Sequence, residues 1–315
     1  MLGIPLHTLG VAVFFALSGY LVMSSRDRMS SAPRFLWHRC LRIFPGLVIV
    51  VIVTVLVVGP LSSTLQPAAY FGDPQTREYL RALGLMPAYD LPGVFESTVH
   101  ARSAVNGSLW TLGIEFLCYL AVLAIGLIPA RTRWIALAVI ASAAVVVSGV
   151  GSYAEATGWA VVAPAAEMVV FFAAGALASC LRVRLRASVA LAVFAAWVAA
   201  TLVAPQLALP LAWLALPYCV LALAFGSIPV VRSVGRVGDL SYGTYLWAYL
   251  VQQVVIDLAP ALPLAASVGL VIVVTLPIAA LSWWFVEKPA LSAKGWRSIS
   301  STHENRRPDR VPLRP

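Results

Sequence analysis

Two arginines spaced three residues apart, Arg39 and Arg42, are the clearest candidates for binding chemistry in the sequence. Positions i and i+3 lie on one face of a helix, so this pair would present two guanidinium groups side by side. A guanidinium is always charged and forms paired hydrogen bonds to phosphate oxygens, which suits a phosphorylated ligand. The alternative is that both arginines only fix the orientation of the neighbouring apolar segments, since arginines commonly flank membrane spans.

Glu115 is the sharpest candidate for a catalytic group, because it lies about two helical turns inside an apolar segment. Ionisable side chains are costly inside a membrane and often have a function there. Ser108, Thr111 and Glu115 share one helix face, whereas Trp110 lies off that face. The carboxylate could orient a base, pair with an arginine or relay a proton. The alternative is an interhelical hydrogen bond that only stabilises packing.

Two further segments combine small, polar and aromatic residues. Ser18-Gly19-Tyr20 closes the first apolar segment, where a glycine permits close approach of a ligand or, alternatively, of another helix. Ser241 and Tyr245 belong to a polar and aromatic start of the eighth apolar segment. Aromatic residues at a membrane interface produce the same pattern without any chemistry.

The cysteines and histidines narrow the chemistry further. The four cysteines have no paired spacing, so the sequence predicts neither a disulfide framework nor a metal site. None of the four histidines (His7, His38, His100, His303) lies well inside an apolar segment. A mechanism that needs a histidine base at membrane depth would therefore lack that base in this chain.

The elements that must position these residues are membrane helices. Hydrophobic residues make up 61% of the 315 residues and charged residues 11%, against about 25% charged in a soluble domain. We therefore predict an all-α polytopic helical bundle. Nine apolar segments are long enough, or nearly so, to span a bilayer, at 9–24, 41–60, 108–128, 133–150, 164–182, 187–203, 207–228, 241–259 and 262–285.

The positive charges support this layout. Alternate loops and the C-terminal tail hold 19 of the 22 lysines and arginines, which predicts that they and the C-terminus are cytoplasmic. The net charge of +9 does not indicate nucleic-acid binding, because the positive residues lie in short segments between apolar ones. We predict a transmembrane domain over 1–293 and a disordered cytoplasmic tail over 294–315.

The same layout places the N-terminus outside, with only about eight residues before the first span. The simpler explanation is that an upstream span is missing, so we expect that Met1 is not the natural start or that the first helix has been lost.

Five motifs in order resemble the integral membrane acyltransferase family 3. The first is an apolar run with Ser-Gly-aromatic near its end, the second contains Arg-x-x-Arg followed by Ile-x-Pro, the third contains Trp-Thr-Leu-x-x-Glu, and the last two are the family's closing segments. In this order they lie at Val11–Val22, Phe35–Pro45, Asn106–Glu115, Gly238–Leu246 and Ser282–Pro289. The resemblance implies a multi-pass O-acyltransferase of the inner membrane. Such an enzyme transfers an acyl group, often acetyl, from cytoplasmic acyl-CoA to a hydroxyl of a sugar or glycosylated acceptor.

The resemblance also implies roles for particular residues. Arg39 and Arg42 would hold the CoA phosphates, Ser18 and Tyr20 would line the donor path, and Glu115 would belong to the active site. Residues that would contact the substrate or support the site are Trp110, Ser108, Ser241 and Tyr245. No permanently bound cofactor or metal is implied, since acyl-CoA is a substrate; the other partners are the bilayer and the carbohydrate acceptor.

Two departures from the family pattern concern the catalytic base. The family carries one more N-terminal span, which holds its catalytic histidine, so we expect little or no activity from the chain as given. The eighth segment has Trp247-Ala248-Tyr249 where relatives often have a histidine. The alternatives are a transporter or flippase, which shares multiple spans and an intramembrane Glu, and a non-catalytic partner that binds acyl-CoA without turnover.

Overall fold

Nine long helices follow the predicted apolar segments in the computed structural model, which describes residues 6–29, 31–96, 104–153, 159–226 and 239–293. They are α1 (Leu6–Arg28), α2 (Ala32–Val53), α3 (Trp110–Ile125), α4 (Arg133–Tyr153), α5 (Trp159–Cys180), α6 (Ala187–Val203), α7 (Ala208–Phe225), α8 (Ser241–Leu258) and α9 (Leu264–Ser282). Within these described ranges there are no strands, which confirms the all-α prediction. The predicted tail, 294–315, lies outside the described residues.

Apolar helices suit a bilayer because a helix satisfies its backbone polar groups internally. In the described part of the chain, six helices are long and apolar enough to cross a membrane: Thr8–Arg28, Ala32–Ser62, Gly107–Ile125, Val162–Cys180, Pro205–Phe225 and Leu264–Ser292. Two further helices, Arg133–Gly149 and Ala187–Val203, are apolar but shorter. The protein is therefore a polytopic membrane protein. The count of nine spans and the cytoplasmic C-terminus remain predictions.

The chain divides into two compact units. The first contains α1 and α3 to α7, within Met1–Leu36, Leu85–Pro87 and Ser108–Gly238. In this unit α1 crosses α5 closely at Gly19 and Gly175, positions where an added Cβ would meet backbone atoms of the other helix. Helix α6 packs on α7 through a buried cluster of Ala190, Cys219 and Ala222. Small residues at these crossings let the helices approach each other, as is usual in membranes.

The second unit contains most of α2 together with α8 and α9, within Trp37–Gly84, Ala88–Gly107 and Asp239–Pro315. Helix α2 continues through a π-helical turn, Thr54–Val58, in which Thr54 Oγ1 donates to the Val50 carbonyl at 2.7 Å. Helix α8 packs on α9 where Gly243 lies against Ala279.

The connector after α2, residues 59–96, is anchored to that helix by Tyr70. The Tyr70 hydroxyl donates to the Val55 carbonyl at 3.0 Å, and Thr76 Oγ1 donates to the Tyr70 carbonyl at 2.6 Å. Burial raises the pKa of Tyr70 to about 12, because ionisation would place a charge away from water. Further along, a single β-bridge joins Ser63 to Val94. The connector is thus a folded segment of short helices and turns.

Candidate functional site

Two elements of the second unit hold the side chain of Arg42. Its Nη2 lies 2.8 Å from Oδ2 of Asp239, which stands just before α8. Its guanidinium also lies over the ring of Tyr242, 5.4 Å from the ring centroid. The side chains of Arg42 and Asp239 are 20% and 46% exposed, so water reaches the ion pair from the Asp239 side. An exposed ion pair contributes little net stability, and exchange of Asp239 for another anion would therefore cost little.

Tyr242 fixes the start of α8 against α2. Its hydroxyl donates to the Ile43 carbonyl at 2.6 Å, and the side chain is buried. Gly46, one turn along α2, leaves space for the Tyr242 ring, since a Cβ there would lie 2.8 Å from a ring carbon. The next residue, Gly243, lies against α9. The Ser-Tyr-Gly sequence therefore joins three helices of the unit and sets the position of the neighbouring Asp239.

A second carboxylate, Glu287, interacts electrostatically with Arg42 and Asp239. Glu287 is 2% exposed and ends the π-helical turn that follows α9. Its Oε1 accepts a hydrogen bond from Ser282 Oγ at 2.9 Å, whereas its buried Oε2 has no hydrogen-bond partner among the described residues. A buried carboxylate is costly unless it is fully paired. Sequence reasoning missed this residue because Glu-Lys-Pro at a helix end looks like a simple stop; its only signal was membership of a family-like motif.

The other residues predicted in this unit lie on the same helices. Arg39 is partly buried on α2, three residues before Arg42. Ser241 is exposed at the first position of α8, and its Oγ donates to Asp239 Oδ1 at 2.5 Å. Tyr245 is half-buried, four residues further along α8. The structure therefore links two of the predicted residues, Arg42 and Ser241, through an acid that was not predicted.

The Asn-Gly sequence before α3 binds the middle of α8. Asn106 is fully buried, and its Nδ2 donates to the Leu246 carbonyl at 2.9 Å. A Cβ on Gly107 would lie 2.8 Å from the Tyr249 ring. Gln253 Nε2 donates to the Ala104 carbonyl, two residues before Asn106, at 3.0 Å. This part of the motif has a structural role, which sequence reasoning did not separate from the catalytic candidates.

Glu115 is 2% exposed on α3 in the first unit. The Tyr119 hydroxyl, one turn further along, donates a hydrogen bond to Glu115 Oε1. Thr111 is also buried, and its Oγ1 donates to the Ser108 carbonyl at 3.4 Å. Ser108 lies in a 3-10 turn before α3, and Trp110 is the first residue of the helix. The predicted buried carboxylate inside a membrane helix is present, and Tyr119 is a partner that the sequence analysis did not single out.

The Ser-Gly-Tyr sequence lies at the crossing of α1 and α5. A Cβ on Gly19 would meet the Phe172 backbone, with its carbonyl carbon at 2.8 Å. Ser18 is 8% exposed. The Tyr20 ring packs on Phe225 of α7 at a centroid distance of 4.8 Å. Packing therefore explains Gly19 and contributes at Tyr20, as the alternative reading of this motif proposed.

Sequence reasoning also missed a polar cluster where α1 and α3 end. Arg26, which is 7% exposed, donates through Nη2 to the Gly126 carbonyl at 3.3 Å. Arg133 donates to the same carbonyl at 3.0 Å and forms an ion pair with Asp27 at 2.5 Å. The available signal was that Asp27 is the single acid in the arginine-rich loop. The two arginines thus satisfy the carbonyl of Gly126, the residue that caps the C-terminus of α3.

The predicted site residues thus fall into two groups, one in each unit. The first unit holds Ser18, Tyr20, Ser108, Trp110 and Glu115, and the second holds Arg39, Arg42, Ser241 and Tyr245. Within the described ranges, no group of three or more His, Cys, Asp or Glu side chains is arranged to hold a metal ion.

Comparison with known proteins confirms the family resemblance. The profile of the family 3 acyltransferase domain matches residues 1–286. The chain belongs to the acyltransferase-3 family. The match contains every motif residue described above except the end of the closing segment. No solved structure matches the chain significantly.

Two curated proteins resemble part of this acyltransferase-3 chain. An O-acetyl transferase of Shigella phage Sf6 is 37% identical over 112 residues, which is 36% of this chain and 32% of the relative. Nodulation protein 10 of Rhizobium leguminosarum bv. viciae is 39% identical over 117 residues, 35% of this chain and 31% of the relative. The matched stretch spans about a third of the length of each relative.

Proposed function

We propose that this protein is a membrane-bound O-acyltransferase. It moves an acyl group, acetyl in the simplest case, from cytoplasmic acyl-CoA to a hydroxyl of a sugar or glycosylated acceptor. Membership of the acyltransferase-3 family supports the reaction class. The name of the phage relative, an O-acetyl transferase, supports acetyl as the transferred group. We place the protein in the inner membrane, as a multi-pass protein.

The observation that carries the donor proposal is the setting of Arg42. The ring of Tyr242 and the exposed carboxylate of Asp239 hold its guanidinium in place before any ligand binds. A phosphate could replace Asp239 as the partner of Arg42, or share Arg42 with it, at small cost, because that ion pair is open to water. Arg39, on the same helix and one turn earlier, supplies a second guanidinium for the phosphate-rich nucleotide end of CoA.

The reaction needs an attack by the acceptor oxygen on the thioester carbonyl. A base takes the hydroxyl proton, the new C–O bond forms, the C–S bond breaks, and CoA leaves as the thiol after taking up a proton. We assign Glu115, with its Tyr119 hydrogen bond, to the group that orients the base or carries this proton. Ser18 and Tyr20 line the path of the donor, and Trp110, Ser108, Ser241 and Tyr245 contact the substrates or support the residues that do.

The test of the donor proposal compares acetyl-CoA with S-acetylpantetheine, which carries the same thioester but no phosphate. We expect Arg42→Gln and Arg39→Gln each to weaken acetyl-CoA binding by roughly tenfold to a hundredfold, the usual loss of a charge-assisted hydrogen bond. Neither change should affect S-acetylpantetheine. Arg34→Gln, in the exposed first turn of α2, is the matched control and should bind both ligands normally.

Equal weakening of both ligands would show that Arg39 and Arg42 act on the fold and not on phosphate. Transfer itself is measured as acetyl-CoA-dependent release of CoA thiol in the presence of sugar acceptors. Protein-dependent solute flux across liposomes without acyl-CoA would instead identify a transporter.

A further inference from the structure

An apolar groove opens on the first unit among α4, α5 and α7. Its volume is about 590 Å³, within the range of sites that hold small molecules. Residues from all three helices line it, among them Ala141, Ala174, Ala178, Trp213, Pro217 and Leu221. The lining contains neither Glu115 nor any residue of the predicted donor site, so the groove is a separate feature.

The sequence explains why the groove exists. Helix α5 presents Ala174 and Ala178, one turn apart on the same face, so that helix contributes little side-chain volume there. On α7, Pro210 and Pro217 supply compact rings beside the larger side chains of that wall. Trp213 lies between the two prolines in the chain and also packs against a buried cluster of Ala144, Ala166 and Val170.

An arginine-rich loop lies at one end of the groove. Residues 181–186 alternate apolar and basic, and Leu181 and Val183 line the groove. The intervening Arg182 and Arg184 are exposed, and neither forms a salt bridge with any residue that the structure describes. The loop therefore offers unneutralised guanidinium groups next to an apolar channel.

This loop has a fixed conformation. Tyr218, which lines the groove, donates through its hydroxyl to the Arg184 carbonyl at 3.1 Å and accepts from the Arg186 backbone N–H at 3.3 Å. Arg182 has a φ of 49°, in the left-handed region, and ends α5 as a helix cap. The Val183 N–H donates back to the Ala178 carbonyl at 3.0 Å. The backbone of the loop is thus tied to α5 and α7, two of the helices that line the groove.

We propose that the groove and this loop form a binding site for an acidic phospholipid. One hydrocarbon chain occupies the groove, and the phosphate group interacts with Arg182 and Arg184. Two features together point to this occupant. The groove is apolar and lies between membrane helices, where hydrocarbon is the surrounding solvent. The positive charge at its end selects an anionic headgroup, and each basic residue near a membrane surface contributes to that attraction.

The test is lipid binding by the full-length protein in detergent, counted by native mass spectrometry with equal amounts of phosphatidylglycerol and phosphatidylcholine. We expect the wild type to prefer phosphatidylglycerol. The double variant Arg182→Asn with Arg184→Gln should lose that preference by roughly tenfold or more. Asparagine is chosen because it tolerates a positive φ better than most residues. Arg131→Gln, in another arginine-containing loop, is the control and should keep the preference.

The hydrocarbon part of the site is tested by filling the groove. Ala174→Phe and Ala178→Phe each place a ring in it, and both should reduce the number of bound lipids of either headgroup. Val139→Phe, on the exposed surface of α4 outside the groove, adds the same ring without blocking it.

Three results would overturn the proposal. They are no headgroup preference in the wild type, an unchanged preference in the double arginine variant, and lipid counts in both groove-filling variants equal to those of Val139→Phe. The first would mean that the groove holds detergent or any lipid equally, and the other two would place the lipid elsewhere.

Discussion

Replacement of Gly19 by alanine is predicted to destabilise the first unit, and α1 itself provides the control. At Gly19 a new Cβ would lie against the backbone carbonyl of Phe172, 2.8 Å from its carbon and 3.1 Å from the Ala176 nitrogen. Backbone atoms cannot rotate away as a side chain can, so α1 and α5 would have to separate. At Gly10 on the same helix, a Cβ would have nothing within 4 Å.

The magnitude follows from two opposing terms. Alanine is favoured over glycine inside a helix by about 0.5–1 kcal/mol, and this gain applies at both positions. Overpacking at a close contact costs about 1–3 kcal/mol, and this cost applies at Gly19 alone. We therefore expect Gly10→Ala to be neutral or slightly stabilising. Gly19→Ala should be destabilising by up to about 2.5 kcal/mol, and the two variants should differ by the overpacking cost alone, about 1–3 kcal/mol.

The assay is thermal unfolding in detergent, followed by the loss of monodisperse protein in size-exclusion chromatography. Gly175→Ala should behave like Gly19→Ala, since its Cβ would meet the Ala16 backbone on the other side of the same crossing. Equal melting temperatures for Gly19→Ala and Gly10→Ala would refute the reasoning. The close α1–α5 crossing would then not be set by these glycines.

Three further predictions concern the second unit. Asn106→Ala should cost about 0.5–1.5 kcal/mol of stability, the net worth of one hydrogen bond, because it removes the side-chain donor to a buried carbonyl inside α8; thermal unfolding measures this. Burial raises the pKa of Tyr79, so the folded state resists ionisation that the unfolded state undergoes from about pH 10. Stability should therefore fall as the pH rises above 10, and Tyr79→Phe should lessen that fall. At pH 8 the variant should change stability little, because the buried hydroxyl has no hydrogen-bond partner among the described residues. Asp239→Asn should tighten acetyl-CoA binding, measured by titration, because it removes the carboxylate that competes with phosphate for Arg42; weaker binding would contradict this role.

The fold was largely predictable because membrane helices follow composition. A long apolar run has few alternatives in a bilayer, and each of the nine predicted runs coincides with a helix in the described chain. The internal organisation of each unit was not predictable in the same way. The crossing at Gly19 depends on which residues of α5 face it. A single sequence does not specify which faces of two helices meet.

The predicted site residues illustrate the same limit. Glu115 stood out because a carboxylate in an apolar run is rare and costly, and Arg42 because its spacing from Arg39 has a physical meaning. Asp239 and Glu287 did not stand out, since each lies at the end of an apolar segment where a charge is ordinary. Only the folded arrangement brings Asp239 into an ion pair with Arg42 and places Glu287 where it interacts electrostatically with both.

Several residues that mark the family owe their type to packing, which affects how mutants should be interpreted. Gly19 permits the helix crossing, Asn106 donates a hydrogen bond to a buried carbonyl of α8, and Tyr242 joins α2 to α8. Loss of activity after substitution of any of these three would therefore accompany a loss of stability. Arg42 is different, because its exposed ion pair contributes little to folding. A variant at Arg42 that keeps its melting temperature but loses acetyl-CoA binding would assign a chemical role, and that combination of measurements separates recognition from architecture.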